Sequence, residues 1–459
     1  MGPTSLKEIT MMNFSKNILI FIFLLLFYGC ATESGEIAKH PSGPITVIRG
    51  GLLIDGTGRE PIPNSVVVIE GSTIKAVGRL GQVTIPSRAN IIEAKNKTVL
   101  PGLIDMHGHY FEWMDHLFIS HGVTTVRDVG NPLYHILQAR KRSHEEGVKK
   151  PRIYTSGPFL DGSPPVFGAP LLGEPQSYPV ATPEEAKSAA YKLINSKVDL
   201  FKIQQKMTPT CLKTIMEVAN KEKVIVTAHL GVGGFADTNT GEIKASEAIL
   251  LGVKGIEHLT GIQFLPASKS ELEELSDMII SHSVFVVPTL FMEEQFSKLL
   301  DPELQKDPIL KQIPSGTVKA LYSFWETTFG VGKWWTKGHS NRHRAVLEKR
   351  KNFIRLLIEK GGSGLIVAGT DVNVPYVFPG VSLHREIELL ATAGLRPMQA
   401  IMAATKNASE LLGHSGRLGT LEAGKIADIL ILSANPLENI SNIRSIEMVL
   451  RDGKIIWKK

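Results

Sequence analysis

Four histidines, one aspartate and one lysine stand at the ends of short apolar runs in this chain. His107 and His109 close GLIDMHGH two residues apart, so on an extended strand both imidazoles point the same way. His229 ends VIVTAH, His258 ends GIEH and Asp371 ends LIVAGTD. Imidazole nitrogens and a carboxylate oxygen are donors that suit Zn²⁺ or another borderline divalent ion. One strand-end histidine is usually a satisfied hydrogen-bonding group, but this many at separate strand ends are hard to explain as packing. Lys202 ends the apolar run DLFKIQ. As an ordinary ammonium it would snorkel to solvent or pair with a carboxylate, and beside two cations it would be repelled. As a carboxylated lysine it would carry a negative charge and two oxygens able to bridge two metals.

These residues need a scaffold that brings distant strand ends to one face. Eight strand candidates alternate with helical patterns: GLIDMHGH, TTVRDVG, PRIYTSG, DLFKIQ, VIVTAHLG, GIEHLT, VFVVPTL and GLIVAGTD. That alternation predicts an α/β chain with a (β/α)8 TIM barrel over residues 101–415, whose functional groups gather at the C-terminal ends of the strands. The structural rival, an open doubly wound sheet, usually carries a GxGxxG loop after its first strand. GGLLIDGTG and GVGGFADTNTG are Gly-rich without that pattern and read as turns. Residues 43–100 and 416–459 read as short strands and tight turns. Neither segment alone fills a core, so the expectation is one small β-sandwich domain formed by both chain ends. Residues 296–340 form a long insertion carrying Trp325, Trp334 and Trp335, a lid over the pocket or plain surface packing.

The chain has 459 residues, 43% hydrophobic and 21% charged, with 42 Gly, 26 Pro and two Cys. This is globular composition. It excludes a coiled coil, a collagen-like chain, a multi-span transporter and a disulfide scaffold. Lys16 precedes eleven apolar residues, Ile18 to Tyr28, followed by Gly29 and Cys30. Eleven is too few to span a bilayer, and the pattern is that of an export signal over residues 1–29. A cysteine directly after the apolar run resembles a bacterial lipoprotein signal. The expectation is an exported protein on the periplasmic side of a membrane, lipid-anchored at Cys30, with simple export or an uncleaved anchor as alternatives. The remaining chain would carry +5 against +6 for the whole, too small and scattered a charge for nucleic acid. The basic run Asn341 to Gly362 reads as a helix burying Val346, Leu347, Phe353, Leu356 and Leu357, with its arginines solvated. Cys211 reads as a packing residue.

PGLIDMHGH, VTAH, GIEH, AGTD and NASELLGHSGRLGTLEAGKIADILILSANPLENI together resemble the amidohydrolase superfamily, in its imidazolonepropionase-like and Xaa-Pro-dipeptidase-like branch. The resemblance covers nearly all of the chain after its first thirty residues and implies a TIM barrel with a terminal β-sandwich. It implies two divalent metal ions, zinc first among them. His107 and His109 with Asp371 would ligate one ion, His229 and His258 the other, and carboxylated Lys202 would bridge them. A hydroxide shared by the metals would attack a carbonyl, with Asp371 as proton shuttle, and the outcome would be cleavage of a C–N amide bond in a small substrate such as a dipeptide or N-acyl amino acid. A urea, carbamate or lactone hydrolase on the same centre is the alternative, and a non-catalytic lipid-anchored binding protein is the non-enzymatic one. Imidazolonepropionase proper uses a single metal and lacks the bridging lysine, so Lys202 argues against that activity. Several dipeptidase-like relatives carry Gly-Gly-His-Gly after strand three, whereas this chain reads SGPFLDGSPPVFGAP. That departure weakens a direct transfer of Xaa-Pro dipeptidase activity. Arg127 is a candidate for a substrate carboxylate, although a structural pair with Asp128 is the preferred reading. Tyr154 points to the pocket or to packing. His135 and His384 read as surface or capping groups, His121 as structural, and His116, His282, His339, His343 and His414 have no motif support. Oligomeric state is left open, a homo-oligomer included.

Overall fold

A computed structural model describes residues 44–145, 147–231, 243–262 and 268–459. The signal and anchor reading of residues 1–30 lies outside the described residues, as does all but the first residue of GVGGFADTNTG. Among the described residues no helix is long and apolar enough to cross a membrane.

The N-terminal part alternates β-branched residues with tight turns and forms β1 (Ile45–Arg49), β2 (Leu52–Leu53), β3 (Ser65–Glu70), β4 (Thr73–Arg79), β5 (Asn90–Glu93) and β6 (Thr98–Pro101). The middle of the chain holds β7 (Leu103–Gly108), β8 (Val123–Asp128), β9 (Arg152–Thr155), β10 (Phe159–Asp161), β11 (Ser177–Pro179), β12 (Leu200–Ile203), β13 (Ile225–Ala228), β14 (Gly255–Glu257) and β15 (Phe285–Val287). The C-terminal part adds β16 (Ile429–Leu432), β17 (Ile446–Arg451) and β18 (Lys454–Lys458).

Chain-end strands make two sheets, ordered β4-β3-β1-β5 and β18-β17-β16-β6-β2. The second joins both ends of the chain, since β16 pairs antiparallel with β6, Ile429 opposite Pro101. Ile48, Val67, Ile69 and Ile74 of one sheet share a buried cluster with Leu53, Val99, Ile429, Ile431 and Leu450 of the other.

The central strands are parallel, in sheets β7-β8-β9 and β11-β10-β12-β13-β14-β15. Helices follow them in sequence, among them Leu133–Ser143, Pro183–Asn195, Pro209–Glu222, Lys269–Ser281 and Val381–Thr392. The sequence dictates where these helices begin. Thr182 caps Pro183–Asn195 by accepting from Glu185 N at 3.2 Å, and the Glu185 side chain returns to Thr182 N. Cys211, on Pro209–Glu222, is buried in the core, as packing requires. The strands' outward residues, such as Val126, Phe201, Ile203, Val226 and Ile256, pack with these helices. Ile104, Met106, Tyr154, Val287 and Val367 form a separate inner cluster.

Seven of the eight strand candidates form strands. The eighth, GLIVAGTD, does not: Gly362–Leu365 is a 3-10 turn, Ile366 makes a single parallel bridge to Val286, and the rest is irregular backbone. It still occupies a strand's place. Val367 N donates to Val286 O (2.9 Å), Met106 N to Ala368 O (3.2 Å) and Asp371 N to His107 O (2.8 Å). The close approach requires Gly369, because a Cβ there would lie 2.6 Å from Val287 Cγ1 and 2.9 Å from both His107 Cβ and its backbone nitrogen.

The insertion is helical, with 3-10 turns Pro302–Lys306 and Pro308–Gln312 and helix Ser315–Phe329. Trp325 is buried and Trp334 half exposed. The basic run lies on helix Lys337–Glu359 and buries Leu347, Phe353 and Leu357 as expected, while Val346 and Leu356 are only partly buried. Its arginines are not all solvated: Arg350 is buried and pairs with Glu293 at 2.8 Å. Two histidines are also buried: His343, which has no motif support, and His384, which reads in the sequence as a surface or capping group. His343 is buried on the same Glu293 (2.7 Å), and His384 is buried with its ring Nε2 on His121 O (2.8 Å). A charged residue buried on a helix needs a partner from another element, which no local pattern announces.

Candidate metal centre

His107 and His109 lie at the end of β7, where the register with β8 shifts between Asp105 and Gly108. The shift matters because a one-residue slip reverses which face a side chain takes. Ile104 and Met106 face the inner cluster, so unbroken alternation would send His107 outward. With the irregularity, His107 turns inward onto Asp371 and Glu257. Its Nε2 is 3.5 Å from Asp371 Oδ1, and the His109 Nε2 is 3.2 Å from the same oxygen. His109 Nδ1 bonds Gly130 O at 2.9 Å.

His258 and Asp371 both occupy the left-handed region, with φ of 55° and 63°. Such backbone costs about 1–3 kcal/mol and persists where the surroundings over-determine it. His258 Nδ1 bonds Thr289 Oγ1 at 2.8 Å, leaving Nε2 at 4.0 Å from Asp371 Oδ2. Ligand atoms of His107, His258 and Asp371 lie within 4.8 Å of one another. The His229 ring is 4.5 Å from that of His258, but its Nε2 meets the side-chain amide of Gln205 at 2.8 Å. His229 therefore borders the trio without joining it.

Burial first, and neighbouring Lys202 next, hold His107 and His229 well below the ordinary histidine range. Burial, with His107 and His229 beside it, does the same for His258. All three are neutral imidazoles, the form that binds metal. At His109 burial acts downward, but the Asp371 carboxylate outweighs it and raises the group.

Beneath the histidines lies a buried polar layer. Lys202 is fully buried with no hydrogen-bond partner at Nζ among the described residues, and burial pushes it down to about 8. Glu257, absent from the sequence-derived site, accepts from Arg127 Nη2 (2.5 Å), from His107 Nδ1 (2.6 Å) and from Thr227 Oγ1. Burial favours its neutral form, but Arg127 and Lys202 hold the carboxyl below its usual range. The preferred Arg127–Asp128 pair is thus corrected. Arg127 pairs with Glu257, while Asp128 accepts from Tyr110 N, Asn131 Nδ2 and Thr155 Oγ1. Arg127 is 1% exposed, which removes it as a direct ligand for a substrate carboxylate. The sequence held one clue to Glu257: a charged residue inside a buried strand must find a counter-charge. Tyr154 belongs to the inner apolar cluster, its ring against His414 (4.5 Å) and His144 (6.2 Å), so packing is its role. Where SGPFLDGSPPVFGAP replaces the expected glycine-rich segment, the Phe159 ring stands 5.8 Å from that of His109 and stacks on Phe167. Asp161 organises this loop by accepting from the backbone of Gly162, Val166 and Lys206.

Residues 116–456 match the Amidohydrolase family. The chain belongs to the amidohydrolase family. Ochratoxinase from Aspergillus niger is 24% identical over an alignment of 484 positions, gaps included, covering 92% of this chain and 87% of that protein. Imidazolonepropionase from Geobacillus kaustophilus is 24% identical, covering 86% and 90%. A solved structure of a Xaa-Pro dipeptidase with bound methionine superimposes with a TM-score of 0.68 at 22% identity, covering 90% of this chain and all of that one. This amidohydrolase is therefore a hydrolase of the kind that acts on C–N bonds, in a metal-dependent family with a TIM-barrel type of fold. The donor set fits a metal: the neutral imidazoles of His107 and His258 and the Asp371 carboxylate converge, with His229 at their border and a buried lysine whose Nζ has no hydrogen-bond partner among the described residues.

Proposed function

We infer that this amidohydrolase cleaves C–N amide bonds of small substrates such as dipeptides or N-acyl amino acids. The observation that carries the reading is the convergence of His107, His258 and Asp371 next to the orphaned amine of Lys202. His107, His109 and Asp371 would hold one divalent ion and His229 and His258 a second, with carboxylated Lys202 between them. Gln205 must then release His229 Nε2. Such ions, zinc first among them, polarise a carbonyl and lower the pKa of bound water from ~15.7 towards ~7.

The chain's own groups do the rest. Asp371 lies between His109 and His258, where its carboxylate takes a proton from the attacking water and returns it to the leaving nitrogen. Water adds to the carbonyl carbon, the C–N bond breaks, and a carboxylic acid and an amine leave. Phe159 and Phe167 give one side of the site an aromatic surface suited to apolar acyl or side-chain groups. The amine of Lys202, lowered towards neutrality by burial, is the form that takes up CO2 to give a carbamate and a proton.

The same reading includes a closed (β/α)8 barrel over residues 101–415 and a composite β-sandwich from 43–100 and 416–459. It also includes export through residues 1–29, with Cys30 lipidated on the periplasmic side. The test is a hydrolysis screen of metal-loaded protein against dipeptides, N-acyl amino acids, ureas, carbamates and lactones. Turnover of amides is expected; turnover of none, or of lactones alone, overturns the reading. Asp371→Asn should abolish turnover while most metal stays bound.

A further inference from the structure

We propose that Glu257, held by Arg127, is the positioning residue that sets His107 as a metal ligand, and that Arg127 acts through it and not on substrate. The proposal rests on reading His107 as a ligand, and it assigns work to two residues that the proposed chemistry leaves idle.

The geometry is specific. Between Asp105 and Gly108 the pairing of β7 with β8 lapses, so Met106 and His107 have no register partner on β8. Arg127 fills the gap. Its Nε donates to Met106 O at 2.6 Å, and its Nη2 donates to Glu257 Oε1 at 2.5 Å. The other oxygen, Oε2, takes the His107 ring at Nδ1 (2.6 Å). One ion pair therefore grips both the backbone before the ligand and the ligand's ring. An ionised carboxylate only accepts, so the His107 proton sits on Nδ1 and the lone pair on Nε2. Nε2 is the atom that faces Asp371. A carboxylate behind a histidine fixes its tautomer and raises its strength as a donor. Thr227 Oγ1 also donates to Glu257, so the carboxylate has no freedom to turn away. Arg127 compensates a charge that would otherwise be costly at full burial.

Zinc affinity, measured by chelator competition without substrate, tests this together with the ¹⁵N signature of His107. In the zinc-free unaltered protein the His107 proton should be on Nδ1. Glu257→Gln keeps an acceptor but loses the charge, and zinc affinity should fall by about 10–100-fold. Because Arg127 is then unpaired and folding could suffer, the double variant Glu257→Gln with Arg127→Met removes both charges, and it should show a loss of the same order. A proton on Nε2, or a folded variant that binds zinc within about twofold of the unaltered protein, overturns the proposal. If neither variant folds, the tautomer alone decides. Neither readout involves turnover, so a failed amide screen would leave this result standing, and the reverse.

Discussion

On the proposed function, Lys202 is the residue whose state decides how much metal this amidohydrolase holds. Its Nζ is buried without a hydrogen-bond partner among the described residues, and burial holds the neighbouring His107, His229 and His258 well below the ordinary histidine range. If Lys202 bridges two ions as proposed, Lys202→Ala should cost more turnover than the about 10–100-fold typical of losing a group behind a ligand, and bound metal should fall from two ions to one, measured by elemental analysis. A second residue-scale prediction concerns pH. Burial lowers His384 to about 3, against about 6.5 in an unfolded chain. The folded state thus excludes a proton that the unfolded state takes up. The stabilisation is fully present above about pH 6.5 and is lost as pH falls towards 3. Between pH 6 and 4 the unaltered protein should lose up to about 1.4 kcal/mol per pH unit more than His384→Gln, as read by urea unfolding at each pH. Equal slopes would show that His384 is protonated in the folded protein.

At the scale of elements, the insertion and the eighth strand position hold the candidate ligands from outside. Trp325 Nε1 donates to Asn373 O at 2.8 Å, and Asn373 Nδ2 donates to His109 O at 2.8 Å. The ring packs on Tyr376 (4.9 Å), and Gln295 Nε2 fastens the Tyr376 carbonyl (2.7 Å). Helix Ser315–Phe329 is therefore a clamp on the loop after Asp371, more than a cover. Trp325→Phe keeps most packing and removes one donor. It should destabilise by about 0.5–1.5 kcal/mol and lower kcat more than KM, because the loop carries Asp371 and not a distant binding surface. An unchanged kcat would separate the clamp from the site. Gly369→Ala places a methyl against Val287 and His107. A cost of about 1–3 kcal/mol is expected for overpacking, with reduced metal binding in the same variant, measured by thermal melts and metal content.

Across the whole molecule, the chain-end sheets and the parallel strands are stitched by buried charge. Arg152 at the start of β9 pairs with Asp428 (2.5 Å) and Asp452 (2.6 Å), and Arg451 donates to the carbonyls of Lys150 and Ser143. Removing Arg152 leaves buried Asp428 uncompensated, so Arg152→Met should cost about 3–5 kcal/mol. Calorimetry should still show one transition, because Leu430, Leu432 and Val449 of the terminal sheet share the core of the barrel helices. Two transitions would mean that the parts fold separately. The sequence by itself determined which titratable residues stand at the strand ends, seven of the central strands, the terminal sheet that joins both chain ends and the amidohydrolase family. Each rests on a local pattern: a period of two, an apolar run before a polar end, a short motif. What only the tertiary structure decided lies between elements. Arg127 and Glu257 are 130 residues apart, and nothing near either names the other. Arg350 and His384 look solvated on a helix until another element covers them. His107 points inward because pairing slips within β7, and GLIVAGTD can take a strand's place against His107 and Val287 because Gly369 has no Cβ. Side-chain periodicity is a property of one segment, whereas charge compensation and close backbone contact are properties of pairs.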